Sequence, residues 1–357
     1  MATGPVNGNT DSMKQTLFSL MHGAGAFAPF RMLNRNKALI LMYHRFRDTA
    51  DGISTTALGF AEQLDYLTEH YKIVPLSELA GYLTSGTPIP PGLAVITIDD
   101  GYRDCYDVAF PILRERKIPA TAFVVTDFID QATWLWTDKV RYLTAKASGS
   151  LLEATIEDHA LRITLDGRHS RLKGAERVNT ELKLIADEAK DDAICEIAES
   201  LGVPLPKTPP NEFLPLTWEQ IQEMDSCGIE IGSHTVTHPI LTRTSSDRLY
   251  YELSESRLRL ESVLDHPVEL LGYPNGDHDP TVQQAAARAG YKCAVTADYG
   301  LNNGHSNPLA LKRIHTEHDI AHFAKNTSGF DQFRNVLLHF RGGAAALALE
   351  QSIDTWL

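Results

Sequence analysis

The strongest constraint on how this chain can fold is a series of short, continuously apolar runs spread along it. They fall at 38–43 (ALILMY), 72–74, 93–98 (LAVITI), 120–125 (ATAFVV), 229–231, 269–273, 292–295 and 310–314. A strand wetted on one face alternates apolar and polar residues. A strand apolar throughout needs cover on both faces, as in a parallel sheet flanked by helices. The spacers supply such helices. Residues 58–69 and 106–116 carry helical spacing, Thr217-x-x-Gln220 reads as a capping box opening a helix that runs to Ser226, and 246–264 places Leu249, Leu253, Leu260 and Leu264 on one stripe. This alternation predicts a (β/α) barrel or a doubly wound sheet.

One stretch breaks the rhythm. Residues 131–213 carry a tryptophan-containing helix (134–146), a hairpin-like run (152–165), two charged helices and a proline-rich end with Pro204, Pro206, Pro209 and Pro210. The pattern reads as an insertion. Residues 1–36 form a leader: a polar, disordered start, then a moderately apolar segment at 14–30 followed by Arg31, Arg35 and Lys37. His22 interrupts that segment and the stronger positive charge follows it. It therefore reads as a docking or membrane-surface helix rather than a cleaved signal. The expectation is a cytoplasmic protein with peripheral membrane contact, export through a signal being the alternative. Gly23, Gly25 and Ala28 match a dinucleotide-binding spacing by accident, since no strand precedes them. The tail at 321–357 reads as helical, broken at Gly342-Gly343.

A formal charge of −13 argues against a nucleic-acid partner, because a phosphate-binding surface needs excess Lys and Arg. Cys105, Cys195, Cys227 and Cys293 are scattered and read as free thiols. No serine elbow or P-loop is present.

Chemistry gathers at two strand ends. The run LAVITI ends in Asp99-Asp100-Gly101, and adjacent carboxylates raise each other's pKa unless a cation relieves one; a solvated helix-capping turn is the simpler alternative. After 229–231 comes Ser233-His234-Thr235-Val236-Thr237-His238-Pro239. Histidines four apart on a short helical turn face the same way and can share a cation. Spacing alone decides little: 14 histidines in 357 residues yield about half such a pair by chance, and His318 with His322 forms another. Position separates the two pairs. His234 follows a strand, as Asp100 does, and in barrels ligands converge at that end.

These residues resemble the polysaccharide deacetylase family (the NodB homology domain, carbohydrate esterase family four), over about 38–320 without the insertion. Met42-Tyr43-His44 ends the first strand, as in many members. Thr97-Ile98-Asp99-Asp100-Gly101-Tyr102 is similar to the motif T-F-D-D-G-Y/F. The run from Ser233 to His238, with Pro239 and Leu241, resembles the histidine motif. Tyr273-Pro274-Asn275-Gly276 resembles the third, and Leu311-Lys312-Arg313-Ile314 a late strand. The resemblance implies a distorted (β/α)7-type barrel at 37–130 and 214–320 with a mixed helical and hairpin insertion. It implies a hydrolase removing N-acetyl groups from an amino sugar of a polysaccharide, lipid-linked saccharide or glycoside. Asp100, His234 and His238 would bind one divalent metal ion, zinc before cobalt, manganese, nickel or iron(II). Asp99 would be the general base, and His44, Tyr102, Tyr273 and Asn275 would face the N-acetylated carbohydrate.

The chain also departs from the pattern. The late Leu-x-His motif that often supplies the general acid is missing. His315 is the candidate because it follows the last strand, with His318, His44 and His278 behind it. Gly272 stands where many members have an arginine that orients the base, leaving Arg103 or Arg313 for that task. Asn275 replaces an aromatic residue, and the fourth motif shrinks to Asp298-Tyr299. An altered groove suggests a substrate other than plain chitin oligomers. Trp134 and Trp136 either stack on a sugar or anchor the insertion. A catalytically inactive glycan-binding barrel and a deformylase or O-deacetylase are the competing readings.

Overall fold

The computed structural model describes residues 8–47 and 54–332. Ten strands occur among them: β1 Leu39–Tyr43, β2 Lys72–Ile73, β3 Leu93–Ile98, β4 Ala120–Val124, β5 Leu151–Ile156, β6 His159–Thr164, β7 Ile229–Ser233, β8 Leu270–Gly272, β9 Cys293–Tyr299 and β10 Leu311–His315. The chain divides into two compact units. The first holds Met1–Ile98, Asp107–Thr121 and Ala297–Leu357; the second holds Asp99–Tyr106 and Ala122–Thr296.

In the first unit β1 runs parallel to both β3 and β10, with Leu41 opposite Ile96 and Ile314, and β2 pairs with β3. Every residue of β1 and β3 is buried, as their unbroken apolar sequence requires. The sheet carries one buried polar thread: Arg313 donates to Thr97 Oγ1 at 3.1 Å, and Thr97 donates to the Leu41 carbonyl at 2.7 Å. The helix Ala57–His70, capped by Thr56, buries Phe60, Leu64 and Leu67. The segment expected as one helix at 106–116 opens instead with a π turn, Cys105–Ala109, before the helix Phe110–Arg116. Pro111 lacks the N–H an unbroken α-helix would use there.

The leader is helical from Gly8 to Gly23, starting inside the stretch read as a disordered start, and again at Ala28–Leu33. Its partner is the helix Ile320–Thr327. Phe18 meets His322 edge-on at 5.0 Å, the Lys325 ammonium lies over Phe18, and Phe27 and Phe30 pack on Phe330. Residues 1–7 of the leader and 333–357 of the expected tail, with its break at Gly342-Gly343, lie outside the described residues. No helix among the described residues is long and apolar enough to cross a membrane.

In the second unit β4, from Ala122 onward, lies beside β7, which pairs in parallel with β8, and β8 with β9. The Thr217–Gln220 capping box forms in full and opens the helix Trp218–Ser226. The helix Ser246–Leu264 is capped by Ser245 and buries Leu249, Leu253 and Leu260. Residues 131–213, expected as an insertion, contain the helix, hairpin and two further helices read from the sequence. The helix Trp136–Lys146 leads to the antiparallel hairpin β5–β6, then to the helices Gly167–Leu182 and Lys190–Leu201. These elements enclose an apolar core of their own, including Val140, Leu143, Leu152, Leu165, Val178 and Ile194, to which Ile240 is added from the segment after His238. All four cysteines are free.

Candidate active site

The chain leaves β3 through two consecutive left-handed residues, Asp100 (φ 78°) and Gly101 (φ 81°). Glycine adopts that conformation freely, and aspartate is among the few side chains that tolerate it. Backbone bonds hold the turn from outside: Leu216 donates to the Gly101 carbonyl and Arg103 to the Leu214 carbonyl. The result is a pair of carboxylates at the strand end, Asp99 2% and Asp100 8% exposed.

The second strand end differs from expectation. The segment after β7 is not a helical turn: Thr235 (φ 71°) and His238 (φ 63°) are both left-handed. For a β-branched residue such as threonine this is a true outlier, kept only where neighbours over-determine it. They do so here. Thr235 N–H donates to Ser233 Oγ, His238 N–H to Thr235 Oγ1, and Glu252 accepts from the N–H groups of Val236 and Thr237 and from Thr237 Oγ1. Sidechain-to-backbone bonds, rather than helical periodicity, bring the two imidazoles together.

Asp100, His234 and His238 converge, their ligand atoms all within 4.8 Å of one another; no other group of three such donors occurs among the described residues. Asp100 Oδ1 lies 3.4 Å from His234 Nε2 and 3.5 Å from His238 Nε2. Those separations are long for hydrogen bonds. They match the span of about 3.3–3.6 Å between two ligands on one ion at about 2.0–2.2 Å with tetrahedral angles. His234 Nδ1 lies 2.6 Å from the Gly272 carbonyl, which can only accept. The proton is thus fixed on Nδ1 and the Nε2 lone pair faces Asp100, the arrangement a metal ligand needs. His238 has its pKa pushed down to about 3, chiefly by burial and next by the neighbouring His234, against the opposing pull of Asp100. Its imidazole is neutral at ordinary pH. This donor set fits a divalent cation that accepts nitrogen and oxygen.

A layer behind Asp100, His234 and His238 was not visible as chemistry in the sequence. Glu252 is fully buried and also pairs with Arg248 at 2.7 Å. Its signal was there: it lies three residues after Leu249 and beside Leu253, a charge on the buried stripe of its helix. Ser233 donates to Ser256 on the same helix. Gly272 passes so close to His234 that a Cβ there would sit 2.9 Å from Nδ1 and 3.0 Å from Phe123 Cγ, so the place where the resemblance leads one to expect an arginine has no room for a side chain without displacing these neighbours.

The other sequence candidates sort differently. Tyr102, 2% exposed, gives its hydroxyl to buried Asp138. Tyr273 is wholly buried, stacked on His278 at 5.6 Å, and burial raises its pKa. Both tyrosines pack rather than line a surface. Asn275 adopts φ 58° in the turn Pro274–Gly276, a conformation asparagine tolerates better than an aromatic residue. Trp134 and Trp136 are 2% and 6% exposed and anchor the insertion. Trp134 donates to the Pro206 carbonyl, and Trp136 donates to the carbonyl of His238 itself. His44 and His315 belong to the first unit, where His315 closes β10 opposite Met42. His322 is engaged with its own cap, Asp319, at 2.9 Å, and His318 is exposed.

The comparisons with known proteins fit this geometry. The model of the polysaccharide deacetylase family matches residues 87–294, and the chain belongs to that family. A Bacillus subtilis (strain 168) protein, YxkH, named for the same family, is 29% identical over 279 residues, 78% of this chain and 71% of its own. The poly-β-1,6-N-acetyl-D-glucosamine N-deacetylase of Staphylococcus epidermidis is 32% identical over 111 residues, 27% of this chain and 38% of its own length. Among solved structures, Streptococcus pyogenes deacetylase PplD in complex with acetate matches with a TM-score of 0.55 at 21% identity, over 81% of this chain and 96% of that one. IcaB from Ammonifex degensii matches with 0.53 at 19%, over 81% and 97%. The likeness shows the fold: a parallel seven-stranded (β/α) barrel.

Proposed function

We propose that this protein is a metal-dependent hydrolase that removes the N-acetyl group from an amino sugar in a glycan. One observation carries the reading: three buried ligand atoms, from Asp100, His234 and His238, at metal-ligand spacing, with a second buried carboxylate, Asp99, next in the chain. A divalent cation bound there acidifies water and polarises an acyl oxygen at neutral pH. Asp100 offers an anionic oxygen and His234 a nitrogen whose tautomer is set by Gly272. Asp99, outside the ligand set, accepts the proton of the attacking water. The backbone N–H groups at the Gly101 turn supply donors for the tetrahedral oxyanion. The proton that Asp99 takes from water is then available for the leaving amine. The staphylococcal relative's printed activity on poly-β-1,6-N-acetyl-D-glucosamine makes acetylated glucosamine polymers the first substrates to try.

The test is metal content together with acetate and formate release across a panel of N-acylated and O-acetylated mono- and oligosaccharides. The expected result is about one equivalent of metal, acetate release from N-acetyl sugars, and loss of turnover on chelation. Asp99→Asn should keep the metal and lose activity. His234→Ala should lose the metal, and His318→Ala should not. A fully active Asp99→Asn protein would remove the proposed base; metal binding without turnover would favour an inert glycan-binding barrel.

A further inference from the structure

Lys190 is an odd residue for its place. It opens the helix Lys190–Leu201, where the helix dipole disfavours a cation, and it is only 3% exposed, where desolvation disfavours it again. Two contacts offset these costs. Asp187 Oδ1 lies 2.7 Å from its ammonium, and the ammonium sits 4.7 Å from the centre of the Trp136 ring. A cation on an indole face is held by the ring quadrupole and fixes the ring in place. The fixed ring then spends its one polar group on a particular target: Trp136 Nε1 donates to the His238 carbonyl at 3.2 Å.

His238 is in need of such a hold. It is a non-glycine residue at φ 63°, its Nδ1 is buried without a hydrogen-bond partner, and Pro239 follows it. His234 has its ring oriented through Nδ1 by Gly272; His238 has no equivalent. What holds His238 is its backbone, gripped on the N–H by Thr235 Oγ1 at 3.1 Å and on the carbonyl by Trp136. Resting on the metal-site reading above, we propose that Asp187, Lys190 and Trp136 form a brace through which the insertion positions His238 as a metal ligand. Trp136 and Lys190 are positioning residues, and through them the insertion sets the affinity of the site for its ion. Partners that orient metal ligands commonly affect affinity by about 10- to 100-fold.

The test uses the full chain. Trp136→Phe keeps an aromatic face for Lys190 and removes the N–H together with part of the buried indole, so its Tm is read beside its metal affinity; Lys190→Met keeps the stem and removes the charge. Zinc affinity is measured by competition with a chromophoric chelator, and site geometry by the visible spectrum of the cobalt(II) form. Trp136→Phe is expected to weaken zinc about tenfold and alter the cobalt spectrum. Lys190→Met should do the same more weakly, Lys190→Arg should restore it, and the double variant should lose no more than Trp136→Phe alone, since the two act through one path. Wild-type zinc affinity and an unchanged cobalt spectrum in a Trp136→Phe protein with lowered Tm would overturn the proposal, leaving Trp136 as packing. If Trp136→Phe fails to fold, Lys190→Met and Lys190→Arg decide by the same two readouts. If the wild-type chain binds no metal, the deacetylase reading fails. The brace is then judged by imidazole NMR of the metal-free protein, where Trp136→Phe must shift the His238 ring signals and leave those of His266 in place.

Discussion

Replacing Gly272 by alanine adds one methyl group, and the structure says where it goes. The new Cβ would lie 2.9 Å from His234 Nδ1 and 3.0 Å from Phe123 Cγ. Normal contact begins near 3.4–3.5 Å, so a neighbour must retreat by about 0.5 Å. Backbone strain plays no part, because φ at Gly272 is not in the left-handed region. His234 cannot move freely: its Nδ1 is tied to the Gly272 carbonyl at 2.6 Å, and its Nε2 faces Asp100 at 3.4 Å. Metal sites tolerate displacements of about 0.2 Å, so the expected cost is about 10- to 100-fold in zinc affinity, or about 1.4–2.8 kcal/mol. The assay is chelator competition on protein shown to be folded by its thermal melt. Gly304→Ala is the control, since a Cβ there meets nothing within 4 Å. Gly272→Arg, which adds far more bulk at the same place, should abolish metal binding. Wild-type zinc affinity in Gly272→Ala would refute the reasoning; if Tm also fell, Phe123 rather than His234 would be the group that yields.

Glu252→Gln should destabilise the protein by about 2–3 kcal/mol, since it weakens charge-assisted bonds to a fully buried carboxylate. It should also weaken metal binding, because the Val236 and Thr237 amides it holds shape the turn between the two histidines. Chemical denaturation and chelator competition read the two effects, and a variant that lost stability yet bound zinc normally would separate Glu252 from the site. Acidification offers a second check. His238 in the folded chain has its pKa lowered from 6.5 to about 3, so below pH 6.5 the unfolded chain takes up a proton that the folded chain refuses. Stability is complete above pH 6.5 and falls towards pH 3, by up to about 1.4 kcal/mol per pH unit from this group. Metal-free wild type should therefore show a steeper loss between pH 6.5 and 4 than metal-free His238→Ala, and equal slopes would remove His238 as the cause.

Much of this was legible in the sequence because the signals were local. Unbroken apolar runs such as LAVITI need cover on both faces whatever surrounds them, and β3 has it. The Thr217–Gln220 box and the hairpin β5–β6 are written in adjacent residues and form as read. The convergence of Asp100, His234 and His238 was legible for another reason: aspartate and histidine are costly at buried strand ends, so their presence there is informative by type and place. The π turn at Cys105–Ala109 was hidden because Pro111 can open a helix as well as deform one. The turn between the histidines was misread as helical. Spacing of four suits a helix, and nothing local announces that Glu252, fourteen residues after His238, holds the amides of that turn. Tyr102 and Tyr273 fall in the same class. A motif position tells which residue is present, and tertiary packing decides whether its surface is offered.

The left-handed residues join these observations. Among the described residues eight non-glycine residues have positive φ, and four of them, Asp100, Thr235, His238 and Asn275, fall within the motifs that carry the resemblance. Each costs about 1–3 kcal/mol, an expense no stable fold needs at three strand ends. The compensating bonds are themselves placed around the motifs: Leu216 and Leu214 on the Asp100 turn, Ser233, Glu252 and Trp136 on the histidine turn. Strain held by its own dedicated bonds is fixed geometry, and fixed geometry lets three ligand atoms from two strand ends stand at metal-ligand spacing within the folded chain. It follows that substitutions in the supporting bonds should alter ion affinity before they alter the fold, with Trp136→Phe nearest that limit and Glu252→Gln, buried deepest, moving both together.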